Sequence, residues 1–417
     1  MDYFIITSIL VFISAFFGYI NIRYIKLPNT IGLTVITIFF TLGIFALSYF
    51  DDTLLNAERY IITQIDFRSV LLNIMLSFLL FAGALHTDLQ KLKELKWPIL
   101  FFATFGVLVS TLLIGTAVYF LLQGIGLEVL FINCLLFGAL ISPTDPIAVL
   151  GILKKADVPK KLEIKIVGES LFNDGVGVVI FLTIFGLANG TGGDFSFTNV
   201  LTLFVHEVGG GLLLGALLGW ITFKLMKSID DYNIEVIITL ATVMTGTVVA
   251  QYLHVSAPLA MVVAGLIVGG NEARRYAMSA VTENYVDKFW ELIDILLNTI
   301  LFVLIGMELL VLDLEFEFVL AGLLAIPIAL VCRFVSLIIP VNLFKTRLDF
   351  VPNTNLIMTW GGLRGAISIA LALGLTAEMQ RELFLVMTYV VVIFSIIVQG
   401  LTVGKLVKKL RKKNVGI

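Results

Sequence analysis

Two aspartates sit inside stretches that are otherwise almost wholly apolar, and each could bind a cation or a proton. Asp145 lies in Ser142-Pro143-Thr144-Asp145-Pro146, and Asp174 in Gly168-Glu169-Ser170-Leu171-Phe172-Asn173-Asp174-Gly175. Ionised groups at membrane depth are expensive and persist mainly where they pair or do work. A proline on each side of Asp145 breaks a helix there, leaving backbone carbonyls and amides beside the acid, as in transporter cation sites. On a helix, Glu169 and Asn173 share one face and Ser170 and Asp174 the adjoining one, because i and i+4 are neighbours. Oxygen-bearing side chains therefore cluster, and hard cations prefer oxygen ligands. These features point to an ion transporter.

Charge counting sharpens the point. The clear intramembrane acids are Asp145, Glu169 and Asp174, and the clear intramembrane bases are Arg333 and Arg364. One negative charge is in surplus, and in a low dielectric it must take up a proton or a cation. A site that binds either, but not both, is the minimal exchanger.

The elements that hold these residues must be membrane helices. The chain has 417 residues, 59% hydrophobic and 14% charged, with a mean hydropathy of +1.04. That excludes an ordinary soluble domain, and the absence of strand alternation argues against a β-barrel. The start, Met1-Asp2-Tyr3-Phe4, lacks the basic stretch of a cleaved signal, so the first apolar run is expected to be a retained helix. Cys134 and Cys332 lie in apolar segments and read as small buried hydrophobes. His86, His206 and His254 are too scattered for a metal cluster.

Thirteen spans are predicted, near 3–22, 30–50, 67–86, 97–122, 128–153, 162–189, 199–227, 232–253, 257–270, 289–310, 315–344, 354–376 and 381–405. The ninth is short. Basic residues gather in alternate loops: Arg23 and Lys26; Lys91, Lys93 and Lys96; Lys154, Lys155, Lys160 and Lys161; Lys224 and Lys227; Arg274 and Arg275; Lys345 and Arg347; then the tail from Lys405 to Lys413. The intervening loops are acidic or neutral, as with Asp51, Asp52 and Glu58, or Asp313, Glu315 and Glu317. This alternation predicts an outside N-terminus and a cytoplasmic C-terminus, hence an odd span number. The fifth span carries the Pro-Thr-Asp-Pro break. The twelfth carries Trp360-Gly361-Gly362-Leu363-Arg364-Gly365, where glycines weaken a helix around a charge. Seven spans separate the two, which gives them opposite orientations, as in inverted repeats with a pair of broken helices crossing near the midplane.

Together, Ser142–Pro146, Gly168–Gly175 and Gly361-Gly362-Leu363-Arg364-Gly365-Ala366 resemble the monovalent cation:proton antiporters, in the branch of NhaP-type bacterial antiporters and animal sodium/hydrogen exchangers. The motifs stand in the family's order, and the likeness covers nearly the whole chain. It implies an all-α polytopic membrane protein of about 13 helices with two crossing discontinuous helices and no cofactor. Core helices would fall in 97–190 and 315–405, scaffold and dimerisation helices in 1–96 and 191–314, and a short basic cytoplasmic tail in 406–417. It implies Na⁺/H⁺ exchange in a cell membrane by a homodimer, with Li⁺ or K⁺ as alternative cations. Asp174 would bind the cation or the proton. Asn173 before it resembles the Asn-Asp pair of the electroneutral branch. Ser170 and the Thr144 main-chain carbonyl would complete the coordination, and Asp145 would contact the ion or balance half-helix N-termini. Glu169 would pair with Arg333, or in a swapped arrangement with Arg364, which otherwise balances half-helix C-termini. Asp230 and Asp231 resemble an acidic pair on the cytoplasmic side.

Plainer readings stand beside these. Glu169 and both arginines can be purely structural charge partners, Asp230 and Asp231 a solvated helix start, and His86 a surface residue. Gly209-Gly210-Gly211 reads as close helix packing or a subunit contact. An intramembrane aspartyl protease using Asp145 and Asp174 as a dyad is the enzymatic rival, but Asp174 follows Phe-Asn rather than the Gly-x-Gly of such enzymes. A cation channel would need a filter-like loop, and none is apparent.

Overall fold

The computed structural model describes residues 3–48, 66–87, 89–145, 160–189, 197–309, 312, 314–344 and 353–415. Pro146, the rest of the fifth span to 153, Asp51, Asp52, Glu58, Lys154, Lys155, Asp313, Lys345 and Arg347 lie outside them. So do the side chains of Lys91, Lys93, Lys160, Lys161 and residues 411–417.

Among the described residues, nine helices are long and apolar enough to cross a membrane, and three shorter apolar helices accompany them. In chain order the elements are α1 (Tyr3–Ile20), α2 (Asn29–Leu47), α3 (Leu76–Leu85), α4 (Val107–Gly124), α5 (Phe131–Ile141), α6 (Lys160–Ala188), α7 (Phe197–Lys227), α8 (Tyr232–Tyr252), α9 (Ala257–Val268), α10 (Ala280–Glu308), α11 (Phe316–Phe344), α12 (Thr354–Trp360), α13 (Ala366–Leu373) and α14 (Arg381–Phe394). α12 and α13 are the two halves of the twelfth span, so each predicted span has a helical counterpart. The ninth is short because α9 is a buried helix of 12 residues whose N-terminus is capped by Ser256. The last helix runs past the predicted boundary: a π-helical turn, Ser395–Gln399, leads into a helix that continues to Val415.

Helices pack closely where side chains are missing. A Cβ on Gly138 of α5 would fall 2.3 Å from the Thr111 carbonyl of α4, and one on Gly215 of α7 would fall 2.3 Å from the Ala260 carbonyl of α9. Small residues let backbones approach in this way, which matters in a membrane, where lipid competes equally well for apolar side chains. In the glycine run, a Cβ on Gly210 would meet Val255 at 2.4 Å and one on Gly211 would meet the Ser256 carbonyl at 2.7 Å, whereas Gly209 faces open space. The run therefore seats α7 against the start of α9.

Burial divides the helices. α6 and α14 are mostly enclosed, while α1 and α7 expose most of their apolar surface. Leu213 and Trp220 on α7 and Val248 on α8 are open to the surroundings, as expected of faces solvated by lipid. Cys134 and Cys332 are buried free thiols. One large core joins α4, α5, α6, α11, α13 and α14 to α3 and α10, and a smaller one ties α3 to α7, α8, α9 and α10 around Trp290.

Candidate functional site

The two predicted breaks meet. α5 stops at Ile141, and Ser142 to Asp145 continue as non-helical chain; α12 stops at Trp360, and Gly362 to Gly365 do the same before α13. The Asp145 backbone N–H donates to the Leu363 carbonyl at 2.8 Å, joining one break to the other. Arg364 secures the crossing. Its Nη1 donates to the Ser142 carbonyl and, at 2.8 Å, to the Pro143 carbonyl. Those carbonyls are the unpaired, partially negative end of α5, where a cation is favoured. The Arg364 backbone N–H donates to Ser395 Oγ at 2.8 Å, so the π-helical turn of the last helix also holds the break.

Gly365 is needed for close approach rather than for its backbone angles: a Cβ there would lie 2.3 Å from Asp145 Oδ2. The Asp145 carboxylate thus rests against the residue preceding α13, beside that half-helix's N-terminus, where negative charge is stabilised. Gly365→Ala is expected to displace Asp145 and slow transport by roughly tenfold or more, since small misplacements of reacting groups carry large rate penalties. Gly43→Ala on α2, where a Cβ meets open space, should leave flux unchanged. Initial proton flux into vesicles measures both.

α6 supplies the other wall. Asn173 Nδ2 donates to Thr144 Oγ1 at 2.8 Å, and the Thr144 N–H reaches Asn173 Oδ1 at 3.4 Å. Ser170 Oγ lies 2.9 Å from Thr144 Oγ1 and also donates to the Thr144 carbonyl. Ser170, Asn173 and Thr144 are therefore brought together as the spacing suggested, and in this state their polar atoms satisfy one another. Gly177 lets α6 come this close, as a Cβ there would sit 2.1 Å from Pro143 Cγ.

Asp174 is 4% exposed and, among the described residues, has no ion-pair partner. It lines a cavity together with Asp145, Pro143, Gly365, Ser368 and Asn298, closed by leucines of α3 and by Leu301 of α10. The space open to water-sized occupants is ≈ 40 Å³, room for an ion or a few water molecules. Two carboxylates lining one small, mostly apolar-walled cavity repel when both are ionised, so a proton or a cation is favoured there. Glu169, in contrast, is paired. Its Oε1 accepts from Arg333 Nη2 at 2.5 Å, with the Glu169 and Arg333 side chains 3% and 2% exposed. Of the two pairings left open by the sequence, this structure has Glu169 with Arg333.

Asp230 and Asp231 are not brought to the cavity. Both are exposed, and Asp231 caps α8 by accepting from the Asn233 and Ile234 N–H groups at 3.0 and 3.1 Å. His86 ends α3, half exposed, with Nε2 3.8 Å from Asp287 Oδ1. The charge count made from the sequence needs correction. Glu235 is fully buried, Glu308 is 9% exposed at the end of α10, and Asp294 lies midway along α10. The surplus of acids is larger than one, and what singles out Asp174 is its place in the cavity. Asn298 was missed altogether. Its signal was the i, i+4 pair Asp294 and Asn298 in an apolar helix, the same pattern that drew attention to Glu169 and Asn173.

The comparisons agree with this architecture. Residues 11–409 match the family described as "Sodium/hydrogen exchanger, transmembrane". The chain is 50% identical over 398 residues to the Na⁺/H⁺ antiporter NhaP of Pseudomonas aeruginosa, covering 94% of this chain and 93% of that protein. It is 35% identical to the Na⁺/H⁺ antiporter NhaH of Halobacillus dabanensis, covering 93% of each. Its fold is similar to that of the sodium proton antiporter MjNhaP1 from Methanocaldococcus jannaschii, with a TM-score of 0.75 over 98% of this chain and 99% of that one at 20% identity. On these grounds, and with both broken helices and the carboxylate cavity in place, the chain belongs to the sodium/hydrogen exchanger family of transmembrane proteins.

Proposed function

We propose that the protein is a secondary antiporter that exchanges Na⁺ for H⁺ across its membrane, with Asp174 holding the two ions in turn. The observation that carries this is a buried carboxylate that, among the described residues, has no basic partner, set in a cavity at the crossing of two broken helices. The names borne by the relatives support Na⁺ as the cation. Li⁺ shares the oxygen-ligand chemistry and K⁺ is the alternative substrate. The protein is a transporter rather than an enzyme, and the protease dyad is set aside. Thr144, Ser170, Asn173 and Asp145 complete the site, and Glu169, Arg333 and Arg364 hold the helices that build it.

The breaks lie in α4 to α6 and α11 to α14, which act as the moving core. α1 to α3 and α7 to α10 act as the scaffold, through which two copies pair. The cavity supports this division, because its walls come from both groups of helices and so lie where relative motion would open one side or the other. The basic loops support a cytoplasmic C-terminus, an outside N-terminus and a place in the cell membrane. One charge on Asp174 in each half-cycle makes the exchange electroneutral.

Reconstitution tests the reading. Vesicles loaded with Na⁺ and diluted into Na⁺-free buffer should acidify inside, at the same rate with and without a potassium-ionophore clamp. An unchanged luminal pH across a range of external pH overturns the exchange. A rate that follows the clamp voltage overturns electroneutrality.

A further inference from the structure

α10 brings an amide to the cavity that the site described above does not use, with an acid one turn behind it. Asn298 is 6% exposed and lines the cavity with Asp145 and Asp174. Its Nδ2 donates to the Asp294 carbonyl at 2.8 Å and to Asp294 Oδ1 at 3.0 Å. Both partners accept hydrogen bonds, so they fix which end of the amide is which: the NH₂ turns to Asp294 and the oxygen turns away from it. Asn298 Oδ1 is then buried with no hydrogen-bond partner. An unsatisfied buried oxygen is costly unless something in the cavity meets it. Beside two carboxylates, an exposed lone pair suits a cation and repels an anion.

Asp294 continues the same face toward the start of α10. It interacts electrostatically with both His86 and Asp145. Seven residues earlier, about 10 Å along the axis, Asp287 meets Arg274 at 2.7 Å, and Glu283 meets the same guanidinium at 2.7 Å. Arg274 stands on the short helix Asn271–Tyr276, outside the spans. The hydrogen bonds that Arg274 donates to Asp287 above all, opposed by partial burial, raise its pKa above the usual arginine value, so it stays a cation. Asp287 and Glu283 thus share one guanidinium at the surface, which offsets one of their two charges. Asp294 stands further in and has the Asn298 amide, rather than a base, as its hydrogen-bond partner.

We propose that Asp294 and Asn298 form a cation waypoint between the Arg274 end of α10 and Asp174. Asn298 Oδ1 contributes a ligand to the cation in the cavity, and Asp294 orients that amide and supplies negative charge on the approach. This rests on the reading of Asp174 as the exchange site.

The test compares parent protein, Asn298→Ala, Asp294→Ala and Asp294→Asn in proteoliposomes, measuring initial proton flux against Na⁺ concentration. Each purified protein is also melted in detergent over a Na⁺ series, which reads binding without transport. Asn298→Ala should raise the half-saturating Na⁺ about tenfold, the size expected for losing one polar contact to a charged group, with little change in maximal rate. The Na⁺ midpoint for thermal stabilisation should move by the same factor. Asp294→Ala, which frees the amide, should shift both in the same direction, and it carries the test if Asn298→Ala does not fold. Asp294→Asn keeps an acceptor for the amide and should shift them less. A folded variant with a lower maximal rate and unmoved Na⁺ midpoints overturns the waypoint and makes the pair a packing device. A parent without Na⁺-driven flux overturns the exchange reading instead.

Discussion

Asp174→Asn reduces Na⁺-driven proton flux to that of protein-free vesicles, while the purified variant melts no lower than its parent. The two halves of this expectation come from one geometric fact. Asp174 is buried in the cavity and, among the described residues, makes no ion pair, so no partner is stranded when its charge is removed. The amide has nearly the same shape and relieves repulsion from the Asp145 carboxylate that lines the same space. It cannot, however, carry a negative charge for Na⁺ to neutralise, nor a proton to release when Na⁺ arrives. Stability and transport therefore separate at this residue, which is the opposite of what a structural salt-bridge acid would do. A variant that still exchanges would move the shared site to Asp145 or to Asp294. A variant that melts well below the parent would mean that Asp174 holds the fold together and has a partner. Flux and melting, measured on one preparation, decide between these.

The same comparison shows what the order of residues reveals. Helix number was legible because each span must be an apolar run of membrane length, and the breaks were legible because proline and glycine interrupt such runs around a charge. The local cluster on α6 was legible from i, i+4 spacing alone, since one helix fixes which side chains share a face. That Arg364 reaches the end of α5, 221 residues earlier in the case of Pro143, was not legible from spacing, because it depends on how two half-helices cross. Asp294 and Asn298 were visible as residues but not as a site. Their neighbours Ile295, Leu296 and Leu297 carry the hydropathy of the span, and only the cavity shows that this face of α10 looks toward Asp174. The charge count failed for a related reason: Glu235 and Glu308 lie near helix ends, where the sequence does not say whether water or protein surrounds them.

Breaking the buried ion pair should produce the largest loss of stability. Glu169 and Arg333 meet at 2.5 Å with both side chains almost wholly enclosed, so each neutralises a charge that has no access to water. Glu169→Leu leaves the guanidinium unpaired, and its Nε and Nη1 already lack hydrogen-bond partners. Arg333→Met leaves a bare carboxylate. Either change should cost about 3–5 kcal/mol, the usual penalty for stranding one member of a buried pair. It should appear as a marked fall in the detergent melting temperature and a smaller yield of folded protein. The double variant, Glu169→Leu with Arg333→Met, removes both desolvated charges and should recover most of the melting temperature, because replacing a whole buried pair by apolar groups is often close to neutral. Non-additivity of this kind is the signature of direct coupling; additive losses would mean that the two residues act on the fold through separate contacts. The recovered double variant also asks a question that neither single variant can. Arg333 stands beside Gly362 of the second break, where a Cβ would lie 3.4 Å from its Nε, so the pair clamps α6 and α11 against the crossing. If the double variant melts like the parent but no longer exchanges, the clamp serves to keep the broken helices in register during transport. If it exchanges normally, the pair serves stability alone.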